Sequence, residues 1–262
     1  MSYPAQESII KTLGILAALA EEVSALLDEM GPTAHTQRIG MRDYHQGVLY
    51  GQPCVIALTR VGKVAAAATT ATLLHEFNVE RVVFTGVAGG IAENVQVGDV
   101  VIGSALAQHD LDARPFFPRF EVPLLHTSRF ATSDALSALL LRCAAEFLAG
   151  QPAAPAAHLG LIATGDQFLN SAQALARLRA DMPEALCVEM EGAAVAQVCH
   201  EFGVPCAVMR TVSDRADDDS HIDFPLFLRD VASVYSAGIL RRFLATLPEL
   251  TQAEEAFNTP PA

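Results

Sequence analysis

Carboxylates set at the ends of buried apolar runs are the residues of this 262-residue chain best placed to do chemistry. Val188-Glu189-Met190-Glu191-Gly192-Ala193-Ala194 closes one such run, and Met209-Arg210-Thr211-Val212-Ser213-Asp214 closes another. Residues 185–188 and 205–212 are too short, and too closely flanked by breakers, to be helices, so both are predicted to be buried strands. In α/β proteins the carboxyl ends of strands line the ligand crevice. Acids there lose solvation free energy unless a ligand or a partner uses them. The chemistry they suit is proton transfer and the grip of hydroxyl groups, which points to an enzyme site.

Each candidate also has a plainer reading. Glu189 and Glu191 lie two apart, so on a strand they share a face. One of them there can hold vicinal hydroxyls in a bidentate manner, or it can form a salt bridge with Arg210 on a neighbouring strand. Asp214 either acts on a ligand or caps the next turn. Glu21 and Glu22 follow an apolar run, where helix-start acids are favoured by the macrodipole without any catalytic role. Phe168, in Gly165-Asp166-Gln167-Phe168-Leu169-Asn170, either stacks on a flat ligand or fills the core. Gly86-Val87-Ala88-Gly89-Gly90 follows a strand but matches neither nucleotide-binding fingerprint. It is either a tight turn or a backbone platform that a small ligand approaches closely. The acids from Asp214 to Asp219 lack the alternation and the glycine of a calcium loop, so residues 217–219 are expected to be a solvated acidic loop.

The elements that must position these residues alternate between strand and helix. Strands are expected at residues 12–19, 81–85, 97–102, 159–164, 185–188 and 205–212, with a hairpin at 48–58 turning at Gly51-Gln52-Pro53. Helices are expected at 20–30, 62–77, 133–148, 172–179, 191–202 and 224–247, with Ser133 or Asp134 capping the third and Gly203 closing the fifth. Residues 86–90 are expected to be a loop, and 150–157 a surface connection. This alternation predicts a three-layer α/β/α sandwich around a central mixed sheet. Residues 12–250 are expected to be a single domain, residues 1–11 a flexible segment and 251–262 a disordered tail.

Bulk composition narrows the function. Apolar residues make up 51% of the chain and charged ones only 18%, enough for a large core with apolar surface left for a subunit interface. The net charge of −13, with no basic cluster, argues against nucleic acid as a partner. Five cysteines without C-x-x-C pairing are expected to be reduced, buried thiols of a cytoplasmic protein. The eight histidines show no ligand spacing, so no metal is expected. No apolar run approaches the ~20 residues of a membrane span. The run at 13–19, although it follows Lys11, reads as a first strand and not as a signal core.

Taken together, the motifs resemble the 5′-methylthioadenosine/S-adenosylhomocysteine nucleosidases of the purine nucleoside phosphorylase superfamily. The matching segments are G-I-L-A-A-L-A-E-E-V from Gly14, G-K-V-A-A-A from Gly62, T-G-V-A-G-G from Thr85 and G-D-V-V from Gly98. They continue with T-G-D-Q-F-L-N from Thr164, V-E-M-E-G-A-A from Val188 and R-T-V-S-D from Arg210, covering residues 12–247 in order. The resemblance implies a homodimer that uses no metal or organic cofactor and hydrolyses the N-glycosidic bond of thio-substituted adenine nucleosides. By resemblance Asp214 protonates adenine N7, and Glu22 positions and deprotonates the attacking water. Glu191 holds the ribose hydroxyls with Met190 beside it, Phe168 stacks on adenine, and the Leu169 backbone reads the purine edge. Gly89 lies against the ligand, and Leu19 and Val61 help line the pocket.

These roles demand opposite protonation states. Asp214 must keep its proton near neutral pH, well above the reference of about 3.9, while Glu22 is ionised. Three departures from the family pattern stand out. Val87 replaces a small hydroxyl residue, which disfavours phosphate; Leu19 replaces methionine; Ala20 replaces glutamate. The stretch 109–117, which implies the partner's share of the 5′ pocket, matches poorly. Three alternatives remain open from sequence: a phosphorylase of the same fold, with Arg60 or Arg210 as its phosphate cation, a futalosine hydrolase, and a non-catalytic nucleoside binder.

Overall fold

The computed structural model describes residues 11–216 and 224–258. Its centre is an eleven-stranded mixed sheet in the order β2-β3-β4-β1-β5-β11-β6-β10-β9-β7-β8. Strand β1 (Leu13–Ala17) is buried along its whole length, between the parallel strands β4 (Gln52–Leu58) and β5 (Arg81–Phe84). The 48–58 hairpin is present, with β3 (Arg42–Leu49) running antiparallel to β4. Strand β2 (His35–Ile39) forms an exposed polar edge that apolar patterning does not reveal.

Residues 86–90 correct the expectation of a loop. Val87–Gly90 is strand β6, held between β11 (Cys206–Asp214) and β10 (Ala185–Glu189). Small residues give little strand propensity by themselves; here the two neighbours supply the pairing. Strand β11 is shared between two neighbourhoods. Its first residues pair with β5, its middle pairs antiparallel with β7 (Val100–Gln108), and its end pairs with β6. With β9 (Ala157–Thr164) linking β7 to β10, the strands β11, β6, β10, β9 and β7 close into a ring. The two-residue strand β8 (Phe130–Ala131) edges β7.

Helices cover both faces. Helices α1 (Ser24–Met30), α3 (Asp134–Leu148) and α7 (Ser233–Asn258) bury Leu26, Leu140, Phe147, Leu240 and Phe243 against one face. Helices α2 (Lys63–Phe77) and α5 (Gly192–Phe202) pack together on the other, with Leu73, Ala193 and Val195 in the core. Helix α4 (Ala172–Asp181) covers the ring through Leu175 and Leu178. Ser133 caps α3, its Oγ accepting from the Leu136 amide, and Gly203 ends α5 at φ 67°. The expected layered α/β architecture around a mixed sheet is therefore present.

Helix boundaries differ at two places. The segment from residue 20 splits into a short 3-10 turn, Ala20–Glu22, followed by α1, because the Glu22 side chain turns back onto the Ala18 and Leu19 amides. The final helix is interrupted: α6 (Phe224–Phe227) leads through a π-turn, Leu228–Ala232, into α7. Helix α7 also runs past Pro248 to Asn258, beyond the expected end at residue 247 and into the expected tail. Its apolar stripe continues through Leu247 to Leu250 against the core, which outweighs one missing backbone donor. The acidic stretch 217–219 and the segment 1–10 lie outside the described residues.

Candidate active site

Segments that leave the ends of β1, β4, β5, β9, β10 and β11 meet around one cavity of about 430 Å³. Of the expected site residues, Leu19, Glu22, Val61, Gly89, Phe168, Met190, Glu191 and Asp214 line it. Leu169 lines a small recess that shares Phe168, Met190 and Asp214 with the main cavity. Phe168 and Val61 stand at the mouth, 50% and 53% exposed. Phe224, Ser213, Arg210, Val87 and Glu189 are also on the wall. Phe224 went unrecognised because an aromatic residue at a helix start carries no spacing signal. Ser213 sits inside the R-T-V-S-D motif, where a lone serine beside an acid has no spacing signal of its own.

Glu22 is almost fully buried because its 3-10 turn folds the side chain inward. Its Oε2 accepts from the Ala18 and Leu19 amides at 2.9 and 3.0 Å. A side chain beginning at Gly86 would stand 3.1 Å from Glu22 Oε1 and 3.2 Å from Arg210 Nη1, so glycine is what leaves that oxygen accessible. Burial pushes the Glu22 pKa up; the Leu19, Ala18 and Val87 backbone and the Arg210 charge oppose it. The site holds a carboxylate whose basicity is raised by desolvation and restrained by donors.

Glu189 and Glu191 do not share a strand face, since β10 ends at Glu189 and Glu191 caps α5, and their partners separate them. Glu189 takes the structural part: Arg210 Nη2 donates to its Oε2 at 2.6 Å, and the Gly192 amide donates to Oε1 and Oε2 at 2.9 and 2.8 Å. The Thr164 hydroxyl donates to Oε1 as well. Arg210 also stacks on Phe84, its Cζ 3.9 Å from the ring centroid. Glu191 faces the cavity, with one oxygen accepting from the Gly62 amide at 2.7 Å. Burial, with the Glu189 charge second, pushes its pKa up to about 7.

Asp214 ends β11, caps the turn that follows and lines the cavity. Its Oδ1 accepts from the Ala216 amide at 2.7 Å, and its Oδ2 from the Ser213 hydroxyl at 2.7 Å, which fixes the carboxyl at the cavity wall. A Cβ on Gly89 would fall 2.9 Å from Asp214 Oδ1, so the glycine makes room for the acid. The two arginines weighed as phosphate cations are otherwise occupied. Arg210 is committed to Glu189, and Arg60 donates to the Met41 carbonyl at 2.6 Å and is not among the residues lining the cavity. The five cysteines are buried and unpaired, and among the described residues no cluster of three metal-ligating side chains exists.

One cavity at the strand ends of this sheet thus gathers Glu22, Glu189, Glu191 and Asp214. The profile of the phosphorylase superfamily matches residues 12–245, and the chain belongs to that family. Among its relatives is the 5′-methylthioadenosine/S-adenosylhomocysteine nucleosidase of Aeromonas salmonicida, 37% identical over 236 residues that make up 90% of this chain and 99% of that protein. The aminodeoxyfutalosine nucleosidase of Helicobacter pylori is 34% identical, over 91% of this chain and 100% of its own length. A crystal structure of the Neisseria meningitidis 5′-methylthioadenosine/S-adenosylhomocysteine nucleosidase with methylthio-immucillin-A superposes with a TM-score of 0.83 at 36% identity, covering 90% of this chain and 99% of that one.

Proposed function

We propose that this protein hydrolyses the N-glycosidic bond of 5′-methylthioadenosine and S-adenosylhomocysteine, and of 5′-deoxyadenosine as a further substrate, giving adenine and the 5′-substituted ribose. The observation that carries this reading is the meeting of Glu22, Glu191 and Asp214 on one largely apolar cavity. Adenine stacks on Phe168 with its edge toward the Leu169 backbone, and Gly89 lets the ring approach the β6 backbone. Asp214 gives its proton to N7, so the base leaves neutral as the C1′–N9 bond breaks. Positive charge builds on the ribose, whose hydroxyls are held by the Glu191 carboxylate beside Met190. Water adds to C1′ and passes its proton to Glu22; that acid, with its raised pKa, is a stronger base than a solvated glutamate. Leu19 and Val61 flank the 5′ substituent.

The reaction needs no metal or organic cofactor. The assembly we propose is a homodimer, supported by the low charge fraction and by the exposed apolar Val61, Val64, Phe116 and Leu124, and the five buried free cysteines support a place in the cytoplasm. Among the described residues no helix is long and apolar enough to cross a membrane. Val87 on the cavity wall, and the commitment of Arg210 to Glu189, favour water over phosphate as nucleophile. The Helicobacter pylori relative supports a second reading that differs only in the 5′ group, aminodeoxyfutalosine in place of the alkylthio nucleosides. The test is to supply methylthioadenosine, adenosylhomocysteine and aminodeoxyfutalosine in turn and follow adenine by chromatography. Release from the first two is expected. Release from aminodeoxyfutalosine alone moves the assignment to the second reading, and binding without release from any of them overturns both.

A further inference from the structure

Just behind the cavity wall, three residues from separate chain segments close a ring of hydrogen bonds. Lys63 opens α2, directly after the Gly62 whose amide donates to Glu191. Its own amide donates to Asp166 Oδ1 at 2.8 Å, and its ammonium donates to Asp110 Oδ1 at 2.6 Å. The Asp166 amide closes the ring on Asp110 Oδ2 at 2.9 Å. Gln108 Oε1 takes a further ammonium hydrogen at 3.0 Å, and Asp166 Oδ2 lies 4.0 Å from the same nitrogen. The side chains of Lys63, Asp110 and Asp166 are 17%, 26% and 48% exposed, so the ring stands at the protein surface and water screens its charges in part. Lys63 itself is not among the residues lining the cavity.

The ring joins two walls that must grip different parts of a ligand. Asp166 lies two residues before Phe168, which faces the flat base. Gly62 holds Glu191, which faces the ribose hydroxyls. We propose that Lys63 is a positioning residue: through Asp110 and Asp166 it locks the Gly62 amide onto Glu191 and the Phe168 segment against the Gly62 turn, setting affinity for the nucleoside without touching it. This rests on the nucleosidase reading above. The charges agree with it. Against burial, the Lys63 ammonium and the Asp166 amide hold the Asp110 carboxyl below its ordinary range. Without the ammonium, Asp110 and Asp166 lose the cation they share, and only the two backbone hydrogen bonds are left to hold the ring.

The test is steady-state kinetics of Lys63→Met on methylthioadenosine across the neutral pH range, beside the wild type. Displacing the two walls is expected to raise KM about tenfold with kcat little changed, because Glu22 and Asp214 keep their surroundings. The acid-side rise in KM is also expected to move to higher pH. The groups that act on Glu191 are Glu189, Arg210, Glu22 and the Gly62 amide, and only the amide, which lowers its pKa, is loosened. A merely structural lysine would lower the melting temperature and leave KM and its pH dependence in place. Wild-type KM and pH profile in the variant overturn the proposal, as does a fall in kcat at unchanged KM. If Lys63→Met does not fold, Asp110→Asn, which weakens the same ring, must raise KM in the same direction. Wild-type protein that releases no adenine refutes the nucleosidase reading instead; equal adenosine affinity of wild type and variant by calorimetry then refutes this one separately.

Discussion

At Glu191 two demands oppose each other. The carboxylate must be ionised to accept from two ribose hydroxyls, yet burial and the Glu189 charge push its pKa up to about 7. Below that pH the carboxyl gains a proton and loses acceptor capacity, so KM is expected to rise as pH falls through neutrality. A KM flat across that range would show that Glu191 does not hold the sugar in its ionised form. Asp214 and Glu22 are predicted to matter through kcat. Asp214→Asn removes the proton donor and Glu22→Gln the base, and each is expected to cost about 10²–10⁴-fold in turnover with the fold intact by circular dichroism. An active, folded Asp214→Asn variant would remove the mechanism. Sequence placed these acids at strand ends but left Glu189 and Glu191 interchangeable, because residues two apart share a face. The end of β10 at Glu189 and the position of Arg210, fixed by the pairing around β11, separate the structural acid from the ligand-facing one.

The same arginine shows how the elements hold the site. Arg210 on β11 and Glu189 on β10 are 1% and 2% exposed and 2.6 Å apart, with β6 between their strands. Removing one partner of a buried pair leaves an uncompensated charge, so Arg210→Met is expected to destabilise the protein by about 3–5 kcal/mol in urea titration. An unchanged unfolding midpoint would mean that Glu189 is not left as an uncompensated charge. Most elements were legible because their apolar periodicity is set locally: β1, α2, α3 and α5 fall within a few residues of expectation. Those that were not depend on distant partners. Val87–Gly90 becomes a strand only because β10 and β11 flank it, and His35–Ile39 is a polar edge with no buried face to betray it. Helix α7 passes Pro248 because its apolar stripe stays against the core.

For the whole molecule, the closure of β11, β6, β10, β9 and β7 into a ring is the feature that brings Glu191 and Asp214 to one cavity, and it was not legible in the sequence. It depends on the antiparallel pairing of β11 with β7, which no local pattern encodes. The layered architecture was legible, since alternating strand and helix patterns admit few arrangements. The exposed apolar residues predict a dimer, so sedimentation is expected to give twice the 27.9 kDa chain mass. A strict monomer would contradict that assembly.

Hydrolysis at this cavity is tested most directly by the product made from methylthioadenosine with and without phosphate. The predicted result is adenine and free methylthioribose at the same rate in both. Phosphate-dependent release with a sugar 1-phosphate as product would contradict it, and would show that Arg210 serves an anion despite its bond to Glu189.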